Sequence, residues 1–224
     1  MFDNYFLRQI DLWGIDIQKS LEDKRVAIIG AGGLGSSLGY ALGSSGIGYI
    51  DIVDFDTIAL HNIHRQIAYT TDDIGKSKAT ILADRLKQRN PFVEVRAFVM
   101  DFEEFISLDL DRYDLILDAT DNIESRLKID KFAKENNLVW IYGSVEEFMG
   151  QVCLFENSSF TAFNSTTHIA PKGITAPMVM NVASLQAIFA LRFLANLAIK
   201  RDVLHYIYMS GEGELITQKF NMPK

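Results

Sequence analysis

Several glycines and one carboxylate have the types and spacing of a nucleotide-binding site. The run Gly30-Ala31-Gly32-Gly33-Leu34-Gly35 follows a short apolar stretch, and Asp54 closes a second apolar stretch 19 residues after Gly35. In a strand–turn–helix unit, Gly30 makes the tight exit from the strand, Gly32 lets backbone N–H groups approach a phosphate, and Gly35 lets the helix pack closely. Asp54 is then placed to accept hydrogen bonds from ribose hydroxyls. Alone, the motif is typical of a dinucleotide such as NAD, whose phosphates lie at the helix N-terminus.

A dense polar cluster after Asp54 favours a triphosphate over a dinucleotide. Within a dozen positions the chain carries Asp56, Asn62, Arg65 and Gln66, and Lys76 and Lys78 follow soon after. Arginine and lysine are the side chains that proteins use to bind phosphate oxygens. A concentration of cations beside a phosphate-binding turn therefore suits the charge of a triphosphate.

A further candidate, Asp121, follows the predicted strand at 114–118. The carboxyl ends of parallel strands meet at one edge of a doubly wound sheet, so we expect Asp121 on the edge that carries the glycine turn. There its carboxylate is placed to hold Mg²⁺ that bridges phosphate oxygens. Alternatively, Asp121 or Asn122 caps the helix predicted from Ile123 to about Glu135. Both interpretations hold if Asn122 is the cap.

Length and composition predict one α/β domain over residues 1–224. The chain is 48% hydrophobic and 23% charged, which suffices for a substantial core. Its net charge of −7 argues against nonspecific nucleic-acid binding. The single cysteine, Cys153, fits a reducing compartment, and its alternation with Val152 and Leu154 favours a packed thiol over a nucleophile. The N-terminus lacks the layout of a signal peptide, so we expect a cytoplasmic protein.

Periodicity predicts a Rossmann-like, doubly wound, mainly parallel sheet with a C-terminal antiparallel extension. The predicted strands lie at 26–29, 49–53, 92–100, 114–118, 138–142 and 150–155, and Tyr206–Ser210 and Leu215–Phe220 form a closing hairpin. The predicted helices lie at 4–13, 76–89, 123–135 and 178–199, and another helix follows directly after the glycine turn. Residues 1–20 form a helical arm, the acid-rich segment 101–111 a solvated connection, and 157–176 a flexible crossover loop.

The segment 178–199 is nearly apolar and long enough to raise the possibility of a membrane span. Asn181, Gln186, Arg192 and Asn196 interrupt it, and such polar residues are rare on a lipid-facing helix. We therefore expect no membrane span but a helix that is buried in the fold or lies across a dimer contact.

The sequence also resembles a known enzyme family. The segments YFLRQ, DFDTIALHNIHRQ, GKSK and LDATDN resemble, in order and spacing, the ThiF/MoeB-like adenylyltransferases of the ubiquitin-activating enzyme superfamily. The similarity runs from YFLRQ to the helix after Pro177. It implies ATP-dependent adenylation of the C-terminal Gly-Gly carboxylate of a small ubiquitin-like sulfur carrier protein, ThiS-like or MoaD-like, with release of pyrophosphate. The pathway would be thiamine or molybdopterin biosynthesis.

The resemblance also implies residue roles. Asp54 would bind ribose, and Asn62, Arg65 and Lys78 the phosphates. Asp121 would bind Mg²⁺, and Arg8 would reach the nucleotide of the neighbouring subunit in a homodimer. The implied catalytic set is Arg8, Arg65, Lys78 and Asp121, and the implied nucleotide-binding set is Gly30, Gly32, Gly35, Asp54, Asp56, Asn62 and Gln66.

Two departures from the family bear on the sulfur chemistry. Many members bind structural zinc through two CxxC pairs, which this chain lacks, so we expect no structural zinc. Some carry a cysteine in the crossover loop, where this chain has none, so a separate protein would donate the sulfur. The alternatives left open are an NAD-dependent oxidoreductase, for which no distinct substrate domain is evident, a noncatalytic carrier-binding scaffold, and a superfamily member that acts on a short peptide or a transfer-RNA base.

Overall fold

The computed structural model describes residues 1–108, 110, 112–163 and 173–223, and eight strands lie in this part of the chain. They are β1 (Arg25–Ile29), β2 (Tyr49–Val53), β3 (Glu94–Phe98), β4 (Leu115–Asp118), β5 (Trp140–Glu146), β6 (Met149–Phe155), β7 (Val203–Met209) and β8 (Leu215–Asn221). The strands form one sheet in the order β3-β2-β1-β4-β5-β6-β7-β8. Strands β1 to β5 pair in parallel and β5 to β8 pair antiparallel. This arrangement confirms the predicted fold class.

Helices cover both faces of the sheet. They are α1 (Phe2–Tyr5), α2 (Leu7–Trp13), α3 (Ile15–Ser20), α4 (Gly33–Gly43), α5 (Lys78–Arg89), α6 (Phe102–Ile106), α7 (Ile123–Glu135) and α8 (Ala176–Leu194). Val26 and Ile28 of β1 face the core under α4, α5 and α8, whereas Ala27 and Ile29 face the core under α6 and α7. Because both faces are buried, the central strands are continuous apolar runs without polar alternation.

The sheet order reverses at β1. This strand pairs with β2 on one side and with β4 on the other, so Ile29 lies in register with both Val53 and Asp118. The turns that follow β1 and β4 therefore leave the sheet side by side. In open α/β sheets, ligands bind in the crevice at such a switch point, outside the carboxyl ends of the strands.

The N-terminal arm differs from the predicted single helix at 4–13. The chain breaks at Phe6 (φ −99°, ψ 15°), which separates α1 from α2, and α3 follows Gly14. Phe6 is buried, with its ring centroid 5.8 Å from that of Phe92. Gln9 Nε2 donates to the carbonyl of Ser45, 2.9 Å away, just after the end of α4. The break lets the arm pack against the amino-terminal edge of the sheet.

The prediction that 101–111 is a solvated connection was wrong for its first half, which forms α6. Asp101 is the N-cap, and its carboxylate accepts a hydrogen bond from Glu104 N at 2.9 Å. Phe102 and Phe105 are buried beneath the sheet. Carboxylates in a first helical turn stabilise the positive end of the helix, so the acidic residues mark a helix start.

Helix α8 is the one described helix that is long and apolar enough to cross a membrane, with a mean hydropathy of 1.4 over its 18-residue window. It packs against α4, β5 and β6, and this packing accounts for its apolar composition. The helix ends at Leu194, before the predicted Ile199. Arg192 donates through Nε and Nη2 to the carbonyl of Ala198 at 2.9 and 2.7 Å, and Asn196 adopts a left-handed φ of 53°.

Both described ends of the predicted crossover loop are held in place, while its centre, residues 164–172, lies outside the described residues. Asp202 accepts hydrogen bonds from the backbone N–H groups of residues 156 to 158 at 3.0 to 3.2 Å. Ser159 donates to Asp130 at 2.6 Å. At the other end, Glu147 N donates to Gly173 O at 2.8 Å. The loop therefore leaves near the β7 start and returns beside the β5–β6 turn.

Candidate nucleotide-binding site

Two glycines of the turn after β1 are required by close backbone packing. Gly30 has φ +96°, and a Cβ there would lie 2.6 Å from Ala119 O. A Cβ on Gly35 would lie 1.9 Å from Gly30 O. Beside Gly32, in contrast, the nearest heavy atom to such a Cβ is Gln66 Nε2 at 3.6 Å. Gly32, at the N-terminus of the 11-residue helix α4, is therefore less tightly packed than Gly30 and Gly35, and a Cβ there would make only an ordinary van der Waals contact with Gln66.

Asp54 connects the end of β2 to the glycine turn. One carboxylate oxygen accepts from Ala31 N at 2.6 Å and the other from Asp56 N at 2.7 Å. Burial raises the pKa of Asp54, although the two backbone hydrogen bonds and Lys78 act in the opposite direction. Each carboxylate oxygen has two lone pairs, so Asp54 keeps acceptor sites for a ligand hydroxyl.

Lys78 is a buried cation in an unfavourable position for stability alone. Its side chain is 7% exposed, and its ammonium lies 2.7 Å from a carboxylate oxygen of Asp56. Lys78 is also the first residue of α5, where the helix dipole disfavours positive charge. Tyr69, buried beside it, places its hydroxyl 2.6 Å from Ala31 O and 3.2 Å from Lys78 O, so it joins α5 to the glycine turn.

The segment from Asn62 to Gln66 lies against the start of α4. Asn62 is buried and accepts a hydrogen bond from Ala59 N at 3.1 Å. Arg65 donates through Nη1 to His61 O at 3.0 Å, and a Cβ on Gly33 would lie 3.7 Å from its Cγ. Gln66 is 3% exposed, and its Oε1 has no hydrogen-bond partner within the protein. A buried amide oxygen without a partner is costly unless a ligand or water satisfies it.

Asp121 lies on the neighbouring turn at the same edge of the sheet. The turn begins at Ala119, whose carbonyl packs against Gly30, so the ends of β1 and β4 are in contact. Asp121 is exposed, and Asn122 Nδ2 lies 3.5 Å from its Oδ1. Asn122 is the N-cap of α7, because its Oδ1 accepts from Ser125 N at 2.8 Å. Asp121 is therefore not the cap, and its carboxylate faces solvent at the switch point.

A buried polar network lies beneath this turn, and the sequence analysis did not identify it. Asp118 is fully buried and accepts hydrogen bonds from Thr120 N at 2.9 Å and from Arg126 Nε at 3.2 Å. Burial raises the pKa of Asp118, and the positive charge of Arg126 opposes that rise. From the opposite face of the sheet, Gln186 Nε2 donates to Asp118 O at 2.8 Å. The available signal was Gln186 on the otherwise apolar buried face of α8 and an arginine at the buried start of α7.

Arg8 lies far from the site of its own chain. Its side chain is 93% exposed and contacts Asp11 at 3.5 Å. The arm packs beside Ser45, at the C-terminal end of α4, whereas the glycine turn lies at its N-terminal end. An 11-residue helix is roughly 16 Å long at a rise of about 1.5 Å per residue. Arg8 therefore does not contribute to the nucleotide-binding site of its own chain.

Cys153 is a buried residue of β6. It packs with Trp140 and Phe155 in the core under α7, and burial raises the pKa of its thiol. A thiol with a raised pKa and no access to solvent is a poor nucleophile. Among the described residues, no group of three or more His, Cys, Asp or Glu side chains is arranged to hold a metal ion by itself.

The structure thus brings most of the predicted residues to the switch point of the sheet, around the glycine turn. Around the glycine turn lie Gly30, Gly32, Gly35, Asp54, Asp56, Asn62, Arg65, Gln66, Lys78 and Asp121, whereas Arg8 lies at the opposite edge. The loose packing at Gly32 and the helix N-terminus fit a phosphate group. The unpartnered Gln66 oxygen is an acceptor, so it fits a donor such as a ligand hydroxyl or a bound water. An exposed carboxylate such as Asp121 is an oxygen ligand of the kind that Mg²⁺ prefers.

Comparison with known proteins gives a consistent assignment. The ThiF family matches residues 6–223. The chain is 32% identical to "Adenylyltransferase and sulfurtransferase MOCS3" of Caenorhabditis briggsae, over 96% of this chain and 57% of that protein. It is 31% identical to "Molybdopterin-synthase adenylyltransferase" of Escherichia coli, over 84% of this chain and 81% of that protein.

Solved structures share the fold. The structure titled "Crystal structure of E. coli MccB + ATP" superposes with a TM-score of 0.84 at 22% identity, over 99% of this chain and 72% of that chain. Several of the curated relatives are much longer than this chain, which spans 57% of the C. briggsae protein and 38% of a "Probable molybdopterin-synthase adenylyltransferase" of Porphyra purpurea. The match over nearly the whole length nevertheless establishes the family: this chain belongs to the ThiF family.

Proposed function

We propose that this chain is an adenylyltransferase that transfers AMP from ATP to the C-terminal carboxylate of a small sulfur carrier protein. The observation that carries the proposal is that Arg65, Lys78 and Asp121 lie on three segments that border the glycine turn. A Cβ on Gly33 would lie 3.7 Å from Arg65 Cγ, the Tyr69 hydroxyl bonds both Lys78 O and Ala31 O, and Ala119, two residues before Asp121, packs against Gly30. Relatives named molybdopterin-synthase adenylyltransferase and sulfur carrier protein adenylyltransferase support the reaction class and the kind of partner.

The reaction needs charge neutralisation and alignment rather than a base. A carboxylate oxygen of the carrier attacks the α-phosphorus of ATP, the bond from that phosphorus to the bridging oxygen breaks, and pyrophosphate leaves with the electron pair. The nucleophile is already an anion, so no proton is removed. Holding two negatively charged reactants in line, with cations placed where charge develops, supplies the catalysis.

The residues of the crevice divide this work. Asp54 accepts hydrogen bonds from ribose hydroxyls, and the space beside Gly32 receives the phosphates at the N-terminus of α4. Asn62, Arg65 and Lys78 contact phosphate oxygens, and Gln66 uses its free acceptor on a ligand or a bound water. Asp121 would hold Mg²⁺, which supplies neutralisation of the phosphate charge when bound. A buried Lys78 at a helix N-terminus costs stability, and a role in phosphate binding accounts for its presence there.

We further propose that the active form is a homodimer in which Arg8 completes the site of the other subunit. Three facts support this arrangement. Arg8 is almost fully exposed, it lies at the edge of the sheet opposite to its own glycine turn, and the arm that carries it is anchored by Phe6 and Gln9. An anchored arm can present a cation to a second subunit at a fixed position.

The sulfur step belongs to a separate donor protein on this proposal. Cys153 is buried in β6 and unsuited to attack, so no thiol of this sequence is available to take up the activated carrier. The adenylation step itself needs no thiol. The resemblance implies a carrier that ends in a Gly-Gly carboxylate in the thiamine pathway as in the molybdopterin pathway, so the assay below includes both.

The test is ATP–pyrophosphate exchange with a ThiS-like and a MoaD-like carrier, each with and without its terminal glycine. We expect exchange with an intact carrier only. Arg65→Ala and Asp121→Ala should each lose at least roughly 100-fold, the scale for removing one preorganised transition-state contact. Lys87→Ala is the control, since Lys87 is an exposed lysine at the far end of α5. Unchanged exchange in both site variants, or NAD binding by calorimetry without any exchange, would overturn the proposal.

A further inference from the structure

The turn that carries Asp121 is held by its neighbour Thr120 through three polar groups. Thr120 N and Oγ1 both donate to one carboxylate oxygen of Asp118, at 2.9 and 2.6 Å. Thr120 O accepts from Arg126 Nη2 at 2.8 Å. Every hydrogen-bonding group of Thr120 therefore has a partner in a buried network, whereas Asp121 itself has little support.

Arg126 is the centre of this network. Its Nε donates to the second carboxylate oxygen of Asp118, and its Nη2 also lies 3.4 Å from Gly143 O on β5. It is 8% exposed, and its guanidinium lies 5.2 Å from the ring centre of Tyr142. One planar group thus bridges the end of β4, the turn after it, and β5. A lysine ammonium has the charge but lacks the fork geometry to make these contacts together.

A purely structural role explains the network poorly. The surrounding core is apolar, and replacing a buried ion pair by well-packed apolar residues is often neutral or stabilising. What the pair adds is directional: its hydrogen bonds fix the two peptide groups on either side of Thr120, one through Thr120 N and the other through Thr120 O. The second of these peptide groups leads directly into Asp121, two residues after Ala119, which packs against Gly30.

We infer that Arg126 is a positioning residue, which clamps Thr120 through Asp118 so that Asp121 is presented to the Mg²⁺–nucleotide. The ligand in this inference rests on the proposed function, whereas the clamp concerns the free protein. Arg126 touches no substrate and acts through the turn. Outer partners of metal ligands typically change metal affinity by about 10- to 100-fold when they are removed.

The first test concerns the free protein. Hydrogen exchange of the Thr120 amide, followed by NMR, reports the clamp without any ligand. In Arg126→Lys, and in Thr120→Val, which removes the Oγ1 donor, that amide should exchange at least about 10-fold faster, because the turn opens locally. Lys128→Ala is the matched control, since Lys128 lies on the same helix, pairs with Glu103 and Glu124 at the surface, and does not touch the turn. An unchanged Thr120 amide in both variants would overturn the inference.

The second test separates positioning from general destabilisation. Calorimetric binding of a nonhydrolysable ATP analogue is measured with Mg²⁺ and with EDTA in each variant. Arg126→Lys should bind the Mg²⁺ complex about 10- to 100-fold more weakly and the metal-free nucleotide with unchanged affinity. An equal loss in both conditions would make the role merely structural and overturn the inference. A wild-type protein that binds no ATP analogue would instead overturn the proposed function. The hydrogen-exchange test of the Thr120 amide uses no ligand, so it would still decide whether the clamp exists.

Discussion

For the ion pair between Lys78 and Asp56, we predict that the substitution that costs more stability is not the one that costs more activity. The two charged atoms are 2.7 Å apart, which corresponds to an attraction of about 6 kcal/mol at an effective dielectric constant of about 20. Desolvation of Lys78, 7% exposed, offsets most of that attraction. Asp56 is 53% exposed. Water can therefore hydrate the Asp56 carboxylate when Lys78 is removed, but it cannot readily hydrate the buried Lys78 ammonium when Asp56 is removed.

Asp56→Ala should therefore cost about 2 to 3 kcal/mol, because it leaves a buried ammonium without its counterion. Lys78→Met keeps the apolar stem, returns Asp56 to water and removes a cation from a helix N-terminus, so it should cost less than about 1 kcal/mol. At about 2 to 4 °C per kcal/mol for a chain of this size, Asp56→Ala should lower the Tm by about 4 to 12 °C, and Lys78→Met by less than about 4 °C.

The activity order should be reversed. Lys78→Met should lose ATP–pyrophosphate exchange by roughly 100-fold although it is the more stable variant, because a phosphate contact is gone. Urea denaturation and the exchange assay, on both single variants and the double variant, give the comparison. The double variant should unfold like Lys78→Met. If Lys78→Met proves the less stable variant, or if it keeps normal exchange, the reasoning from burial and charge is refuted.

Three further predictions concern other parts of the molecule. Gly35→Ala should lose at least about 3 kcal/mol of stability in urea denaturation, because its Cβ would lie 1.9 Å from Gly30 O, whereas Gly211→Ala, with open space around it, should be neutral; equal stability of the two would contradict the packing argument. Mixing inactive Arg8→Ala with inactive Asp121→Ala should restore about a quarter of the exchange activity, since half of the random dimers are mixed and each has one intact site; no recovery would mean that Arg8 does not act across subunits. Although burial opposes it, backbone N–H groups of residues 156 to 158 lower the pKa of Asp202. The stabilising contribution of the Asp202 carboxylate should be present above its unfolded pKa near 4 and be lost as the pH falls through its lower folded pKa. The stability difference between wild type and Asp202→Asn should therefore shrink in acid, and a constant difference would contradict this.

The elements that the sequence predicted well are those with strong local signals. The strand at Val26–Ile29, the glycine turn and the Asn122 cap each depend on neighbouring residues, and the structure reproduces them. The arm and α6 were misjudged for different reasons. Phe6 interrupts the arm because it packs on Phe92, a distant partner. Asp101 and Glu104 give a local N-cap signal for α6, but the acid-rich composition of the segment led to the prediction of a solvated connection.

The candidate site shows the same division. The positions of the glycine turn, Asp54 and Asp121 follow from strand ends at one sheet edge, which topology predicts. The pairing of Lys78 with Asp56 joins residues 22 apart, and the link from Gln186 to Asp118 joins residues 68 apart. Such contacts depend on how helices pack on the sheet, and a single sequence does not encode them in any local pattern.

The most direct measurement of the central claim is a crystal structure of the protein with Mg²⁺ and a nonhydrolysable ATP analogue. We predict the phosphates beside Gly32, with Arg65 and Lys78 in contact with their oxygens, and an Asp121 oxygen about 2.1 Å from the metal ion. An analogue bound elsewhere, or phosphates in the crevice with Asp121 and Lys78 both turned away from them, would contradict the account.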